Sequence, residues 1–207
     1  MQFLYVLERL RHPALDAIFS AVTYCGDELA FLVLSFALFW CVSKRGGYYA
    51  FLVGLFGTLG NQFLKLVCRI PRPWVLDPDF TIVESARAAA TGYSFPSGHT
   101  QNAVGTFGAM AVTAKRRWVR WVCAALIVLV PFSRMYLGVH TPLDVGVAFA
   151  LALVLLAALY PAFRSDDAQA KAMPWLLGAA LVLAVAFYGY ASGLRVDASS
   201  AEAASNV

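Results

Sequence analysis

Residues 142–160 read PLDVGVAFALALVLLAALY, an apolar run whose single charged side chain, Asp144, stands near its start. A helix needs about 20 such residues to cross the hydrocarbon core of a bilayer, and shorter spans are tolerated. Five further stretches have the same character, so we predict spans over residues 28–42, 48–67, 100–113, 119–137, 142–160 and 174–190. The sequence therefore predicts an all-α integral membrane protein, a six-transmembrane-helix bundle.

The composition agrees with a membrane protein and excludes several other classes. Of 207 residues, 60% are hydrophobic and 14% are charged, and the mean hydropathy is +0.68. A soluble domain carries about 25% charged residues. This composition excludes intrinsic disorder, a coiled coil and a disulfide-rich secreted module. The net charge of +4 is small for a nucleic-acid binder, and the four cysteines lack metal-ligand spacing.

The two ends of the chain differ from the central bundle. Residues 1–27 begin with an amphipathic stretch and continue with an apolar run too short to cross, which indicates an interfacial helix. We expect no cleavable signal peptide there. Residues 28–191 form the predicted transmembrane domain. The tail, residues 192–207, is rich in Ala and Ser, and we predict it to be disordered.

Basic loop residues predict the orientation of the bundle. With six spans, three loops with basic residues lie on one side of the membrane, namely those around residues 44–45, 115–120 and 164–171. The positive-inside rule makes that side the cytoplasmic one. Lys and Arg are equally numerous on both sides, with eight on each. Lys65, Arg72 and Arg134 on the other side belong to a cluster of polar residues with its own chemistry, and without them the count is eight against five. The long 69–98 loop and both termini are then predicted to be extracytoplasmic.

Three separate blocks of polar residues converge on that opposite side. They are KLVCRIPRP at 65–73, SFPSGH at 94–99 and SRMYLGVHTPLD at 133–144. Arginine offers a rigid fork of donors that matches phosphate oxygens, and lysine adds a point charge. Ser97 and Gly98 stand at a predicted helix start, where free backbone N–H groups bind anions. The blocks therefore predict a phosphate site.

The same blocks contain the parts of a nucleophilic centre. His140 and Asp144 are spaced i, i+4 and share a helix face. A carboxylate that accepts one imidazole N–H fixes the tautomer and leaves the other nitrogen free to attack. His99 is then available to protonate the departing alkoxide.

Together the blocks resemble the signature of the type 2 phosphatidic acid phosphatase superfamily: Lys-x6-Arg-Pro, Pro-Ser-Gly-His and Ser-Arg-x5-His-x3-Asp. This family comprises membrane lipid phosphatases related to vanadium haloperoxidases. The resemblance implies that His140 is a nucleophile forming a phosphohistidine, that Asp144 orients it, and that His99 is general acid and then base. It implies no metal and no other cofactor. The phosphate-binding residues that it implies are Lys65, Arg72, Ser97, Gly98 and Arg134.

Several of these residues also have simpler interpretations. Asp144 follows Thr141 and Pro142 as a helix-capping acid would, a role compatible with catalysis. Lys65 and Arg69 also match cations at a helix end that extend their charged groups to the membrane surface. We favour that interpretation for Arg69 only. His12 and Asp16 repeat the i, i+4 spacing without an Arg or Ser-Gly partner, and we interpret them as a helix cap. The apolar segment 174–190 is one span more than this family commonly has after the last motif.

The sequence thus predicts a phosphatase of the bacterial plasma membrane with an extracytoplasmic active site. Its partners would be the bilayer and a lipid phosphate or diphosphate, with no nucleic acid. Four substrates stay open: undecaprenyl diphosphate, phosphatidylglycerophosphate, phosphatidic acid and a sphingoid phosphate. Alternatives are a catalytically silent scaffold, which degraded motifs would favour, and a lipid transporter, which an inverted repeat would favour. Neither feature is present in the sequence.

Overall fold

The computed structural model describes residues 1–193, and those residues form helices and connecting loops without a β-strand. Short 3₁₀ turns occur at Tyr24–Gly26, Glu84–Ala86 and Tyr160–Phe163, and a π turn occurs at Leu38–Val42. The helices, numbered α1 to α9 in chain order, are Gln2–Arg9, Pro13–Thr23, Glu28–Ala37, Lys44–Cys68, Pro73–Leu76, Gly98–Thr113, Arg117–Tyr136, Pro142–Leu159 and Asp166–Gly193.

 Each of the six predicted spans falls in a helical stretch to within one residue.

Four helical stretches of the described chain are long and apolar enough to cross a membrane: α4 with α5, α7, α8 and α9. A fifth is reached if α2 and α3 count as one span, because they pass the same criterion together despite a bend of 56°. Helix α6 has 16 residues and is shorter than these. By length and composition the structure has four or five spans, where the sequence analysis predicts six.

Helix α6 lies at the centre of the bundle, packed against α3, α4, α7 and α8. Its residues from Thr100 to Ala109 are all buried. Small residues let its neighbours approach closely, since a Cβ on Gly108 would clash with the side chain of Leu156. Because protein rather than lipid surrounds α6, its sequence can be short and partly polar. This position brings the start of α6 to the end of the bundle where the predicted site lies.

The N-terminal segment packs against the protein itself. Leu4 and Leu7 of α1 are buried, and the Tyr5 hydroxyl donates to Asp77 in the long loop over 2.9 Å. Arg11 donates to the backbone oxygen of Tyr136 at the end of α7 over 3.2 Å. Leu4 and Leu7 are therefore covered by protein, whereas Phe3, Val6 and Leu10 are exposed, and the location of α1 at a membrane interface stays a prediction.

His12 begins α2 as its N-cap, since its Nδ1 accepts from the backbone N–H of Ala14 over 3.3 Å. Asp16 accepts from the Tyr136 hydroxyl over 2.7 Å. This pair therefore caps and fixes a helix, as the sequence analysis expects. In the predicted tail, Ser192 and Gly193 belong to α9, and residues 194–207 lie outside the described part of the chain.

Candidate active site

The three sequence blocks meet at one end of the bundle. The end of α4 supplies Lys65, the following turn Arg72, the end of α7 Arg134, and the α7–α8 connection His140. The blocks are joined directly, because the backbone N–H of Ser97 donates to the backbone oxygen of Asp144 over 3.1 Å. Burial, and then the charges of Arg72, Arg134 and Lys65, lower the pKa of His140 well below its usual value. His140 is therefore a neutral imidazole in a cationic surrounding.

Asp144 lies beside the imidazole and also caps α8. Its Oδ2 is 3.5 Å from His140 Nδ1, and both side chains are buried. The same oxygen accepts from the backbone N–H of Thr141 over 2.8 Å, while the Thr141 hydroxyl accepts from the Asp144 N–H over 3.2 Å. This reciprocal capping box fixes the carboxylate relative to the helix start. The capping and the orienting interpretations of Asp144 are thus compatible in one geometry.

Ser94 is a buried residue of this centre that the sequence analysis does not single out. Its hydroxyl donates to Asp144 Oδ2 over 2.5 Å and lies 3.4 Å from His140 Nδ1. Its backbone N–H donates to the Ile70 oxygen over 2.8 Å, which ties the second block to the first. The one available signal was its place in the SFPSGH block, two residues before Pro96.

Arg72 determines which imidazole nitrogen is free of a proton. Its Nη1 lies 3.0 Å from His140 Nε2. Because guanidinium has donors only, Nε2 must be the acceptor and Nδ1 must carry the proton. Arg72 is 2% exposed, and it also donates to the backbone oxygens of Val139, Gly92 and Thr91 over 2.8–3.0 Å. A fixed cation thus stands directly beside the predicted attacking nitrogen.

The two other predicted phosphate-binding cations point into the same region from different elements. Lys65 Nζ donates to the Tyr93 oxygen over 2.6 Å. Arg134 is buried, and its Nη1 donates to the hydroxyl of Thr23 over 2.9 Å. Arg69 lies apart from them: it is exposed at the C-terminal cap of α4 and donates to the Leu66 oxygen. The structure therefore separates Arg69 from the cluster, in line with its interpretation as a helix-end cation.

The start of α6 supplies the remaining predicted residues. Ser97 is the N-cap, and its Oγ accepts from the backbone N–H of Thr100 over 3.4 Å. A Cβ built on Gly98 would meet no atom nearer than Asn61 Oδ1 at 3.9 Å, so space is open beside the first turn. His99 borders a small pocket of about 20 Å³, which Arg134 and Thr23 also line. The structure thus brings a helix start, three cations and two histidines to one place.

The chain is similar to known proteins in sequence. The PAP2 superfamily pattern matches residues 45–168. Undecaprenyl-diphosphatase BcrC of Bacillus subtilis (strain 168) is 31% identical over 146 residues, which are 70% of this chain and 72% of that protein. Phosphatidylglycerophosphatase B of the same strain is 27% identical over 161 residues, covering 70% of this chain and 74% of that protein.

Solved structures give the same result for the fold. Aquifex aeolicus LpxE superposes with a TM-score of 0.66 at 24% identity, over 76% of this chain and 92% of that one. A PAP2-type phosphatidylglycerolphosphate phosphatase from Bacillus subtilis has a TM-score of 0.63 at 25% identity, over 76% and 80%. The resemblance drawn from the three blocks is confirmed. The chain belongs to the PAP2 superfamily and is a membrane lipid phosphatase.

Proposed function

We propose that this protein removes a terminal phosphate from a lipid phosphate or diphosphate, without a metal, through a phosphohistidine on His140. The observation that carries the proposal is the contact between Arg72 and His140 Nε2, with Asp144 and Ser94 on the opposite side of the ring. The imidazole is neutral with its proton on Nδ1, and its Nε2 lone pair accepts from Arg72, a donor that a phosphoryl oxygen can take over. A phosphoryl group drawn to that cation would meet the lone pair.

The proposed reaction has two displacements. In the first, the Nε2 lone pair forms a P–N bond, the P–O bond to the lipid breaks, and His99 gives its proton to the leaving oxygen. The proton on Nδ1 stays beside Asp144, which stabilises the charge that develops on the ring. In the second, water attacks phosphorus, His99 takes a proton from it, and the P–N bond breaks to release inorganic phosphate.

The phosphoryl oxygens would be held by the cations and by the start of α6. The first N–H groups of a helix have no partner within it, and the space beside Gly98 lets an oxygen approach them. Lys65, Arg72 and Arg134 now donate to neutral oxygens, and phosphate oxygens make stronger, charge-assisted bonds. Such groups neutralise the charge spread over the phosphoryl oxygens in the transition state.

We further propose six spans with the active face outside the cytoplasm of a bacterium. Helix α7 can cross, and it ends at the site with Arg134, so its start near Arg117 lies on the other side. Helix α6 begins at the site and leads to that start, so it would cross although it is short; its 16 residues extend about 24 Å. Counting α3 with the π turn, α4, α6, α7, α8 and α9 gives six.

The substrate stays among the four lipids named above. The names of two relatives, an undecaprenyl-diphosphatase and a phosphatidylglycerophosphatase, favour the first two of these for an extracytoplasmic site. A catalytically silent scaffold is disfavoured because His140 and Asp144 are buried side by side and His99 borders the same pocket as Arg134. The proposed substrate would enter from the bilayer with its tail in lipid and its phosphate at the cationic end.

Phosphate release from a panel of the four lipids by the detergent-purified protein tests the proposal. We expect His140→Ala to lower turnover by at least about 10³-fold, because the nucleophile is removed. His12→Ala is the matched control, since His12 only caps α2, and it should retain full activity. EDTA should leave the rate unchanged. Substantial turnover by His140→Ala, or strong inhibition by EDTA, would contradict the mechanism.

A further inference from the structure

The turn between α2 and α3 contacts the active centre, although it lies outside the part of the chain that matches the family. The family match begins at residue 45, whereas the turn spans residues 24–27 and follows Thr23, the last residue of α2. Thr23 reaches Arg134, and Gly26 lies against His99. The family signature therefore assigns no role to these N-terminal residues. Their contacts with Arg134 and His99 are the evidence for a role in the active site.

The contact of Thr23 with Arg134 is buried and specific. The Thr23 hydroxyl accepts from Arg134 Nη1 over 2.9 Å, and the two residues are 6% and 1% exposed. Within residues 1–193 this is the one hydrogen bond of that guanidinium, and its Nε–H is buried without a partner. A buried cation with few partners is unfavourable unless further acceptors arrive. A single fixed hydroxyl therefore sets the direction of Arg134 and leaves its other donors for an anion.

The turn that follows Thr23 is itself fixed against the start of α6. A Cβ on Gly26 would lie 2.7 Å from the backbone oxygen of His99 and 2.7 Å from Val130. Asn102 of α6 donates to the Gly26 oxygen over 3.4 Å. Because glycine permits this approach, the turn has a defined position relative to His99.

We propose that Thr23 is a positioning residue that holds Arg134 in the orientation needed to bind the phosphoryl group. The N-terminal segment would then be part of the active site and not only a membrane-surface helix. This inference rests on the proposed function, because it takes Arg134 as a phosphate ligand. It differs from that proposal in assigning a role to a residue outside the family signature.

Three variants test the inference. Thr23→Val removes the hydroxyl at nearly constant shape, Thr23→Ser keeps it, and Thr106→Val is the matched control, because Thr106 is 1% exposed and its hydroxyl has no partner. We expect Thr23→Val to lower kcat/KM and the affinity for orthovanadate by about 10- to 100-fold, the range for a hydrogen bond to a charged group. Thr23→Ser and Thr106→Val should both stay near wild type.

A double-mutant cycle separates positioning from general stability. If Thr23 acts through Arg134, Thr23→Val should add little further loss to Arg134→Ala. Wild-type affinity for orthovanadate in Thr23→Val, or fully additive losses in the double variant, would overturn the inference. Direct orthovanadate binding does not depend on the lipid chosen. If the wild type hydrolyses no lipid of the panel, the proposed function fails, while the vanadate affinities of the variants still decide the role of Thr23.

Discussion

At the scale of single residues, the important feature is where the proton of His140 lies. Arg72 can only donate, so Nε2 accepts and Nδ1 keeps its hydrogen. The direct distance from Nδ1 to Asp144 is 3.5 Å, at the outer limit of a hydrogen bond, and Ser94 lies between the two groups. Its one hydrogen goes to Asp144, so its lone pairs face the Nδ1 proton. Ser94 thus connects the ring to its carboxylate.

Replacing Ser94 by alanine should therefore reduce activity without unfolding the protein. We expect kcat to fall about 10-fold, since one hydrogen bond to a charged group is lost. Ser35→Ala is the control, because Ser35 is also buried and its hydroxyl has no partner. Steady-state rates of the two variants and of wild type test this expectation. If Ser94→Ala is as active as Ser35→Ala and wild type, Ser94 does not connect His140 to Asp144.

The buried neutral state of His140 predicts a dependence of stability on pH. Its pKa in the folded protein is below the usual 6.5, so below pH 6.5 the unfolded chain binds the extra proton first. Folding stability from this group is complete above pH 6.5 and is lost as pH falls. Thermal unfolding between pH 7 and pH 5 should therefore weaken more steeply in wild type than in His140→Gln. Parallel curves for the two proteins would show that this histidine is not buried in its neutral form.

These residues also show what a sequence can predict about a site. His140 and Asp144 are four residues apart, so helix periodicity alone places them together. Thr23 and Arg134 are 111 residues apart, and no local pattern links them. The family signature points to the cations but does not state that Arg72 contacts Nε2 or that Ser94 joins the ring to Asp144. Those contacts depend on how the blocks pack, which only the tertiary structure provides.

At the scale of helices, the break between α2 and α3 is the feature that the pattern of apolar residues predicts least well. Hydropathy separates residues 1–27 from the first predicted span, yet α2 and α3 meet at a bend of 56°. Asp27 starts α3 by accepting from the Leu29 N–H over 2.9 Å. Gly26 gives the bend its close approach to α6. Helix α6 was predicted nearly to its ends because its Ser97 cap and polar first turn are visible in the sequence.

Adding a methyl group at this bend should disturb both stability and activity. Gly26→Ala places a Cβ against a backbone oxygen that cannot move independently of α6, and such overpacking costs about 1–3 kcal/mol. Gly60→Ala is the control, since a Cβ there meets nothing within 4 Å. Unfolding midpoints and phosphate release should fall in the first variant only. Equal behaviour of the two would mean that the turn is not held against His99.

At the scale of the whole molecule, the question is which end of the bundle faces the cytoplasm. Basic loops and the catalytic cluster lie at opposite ends, because α4 begins at Lys44 and ends beside the site at Cys68. Hydropathy and charge in the sequence predict this arrangement. They predict the spans themselves less well where the helices are short. Two native cysteines happen to mark the two ends, Cys41 near the start of α4 and Cys68 at its end, and both are exposed.

Thiol labelling of intact cells tests the proposed orientation. Both variants carry Cys25→Ser as well, because Cys25 is partly exposed in the turn beside the site, whereas Cys123 is buried. In that background a membrane-impermeant reagent should label Cys41→Ser through Cys68 and should leave Cys68→Ser unlabelled. Permeabilised cells are the control, and there the second variant should react as well through Cys41. The opposite pattern in intact cells would place the active face in the cytoplasm.

The most direct test of the central claim is to locate the phosphate during turnover. Wild-type protein is mixed with a lipid phosphate labelled in its terminal phosphoryl group, quenched in alkali within one turnover, and digested. The account predicts label on the peptide that contains His140, stable in alkali and released by acid, and none on His140→Ala. Label on another side chain, or label retained by the His140→Ala variant, would contradict it.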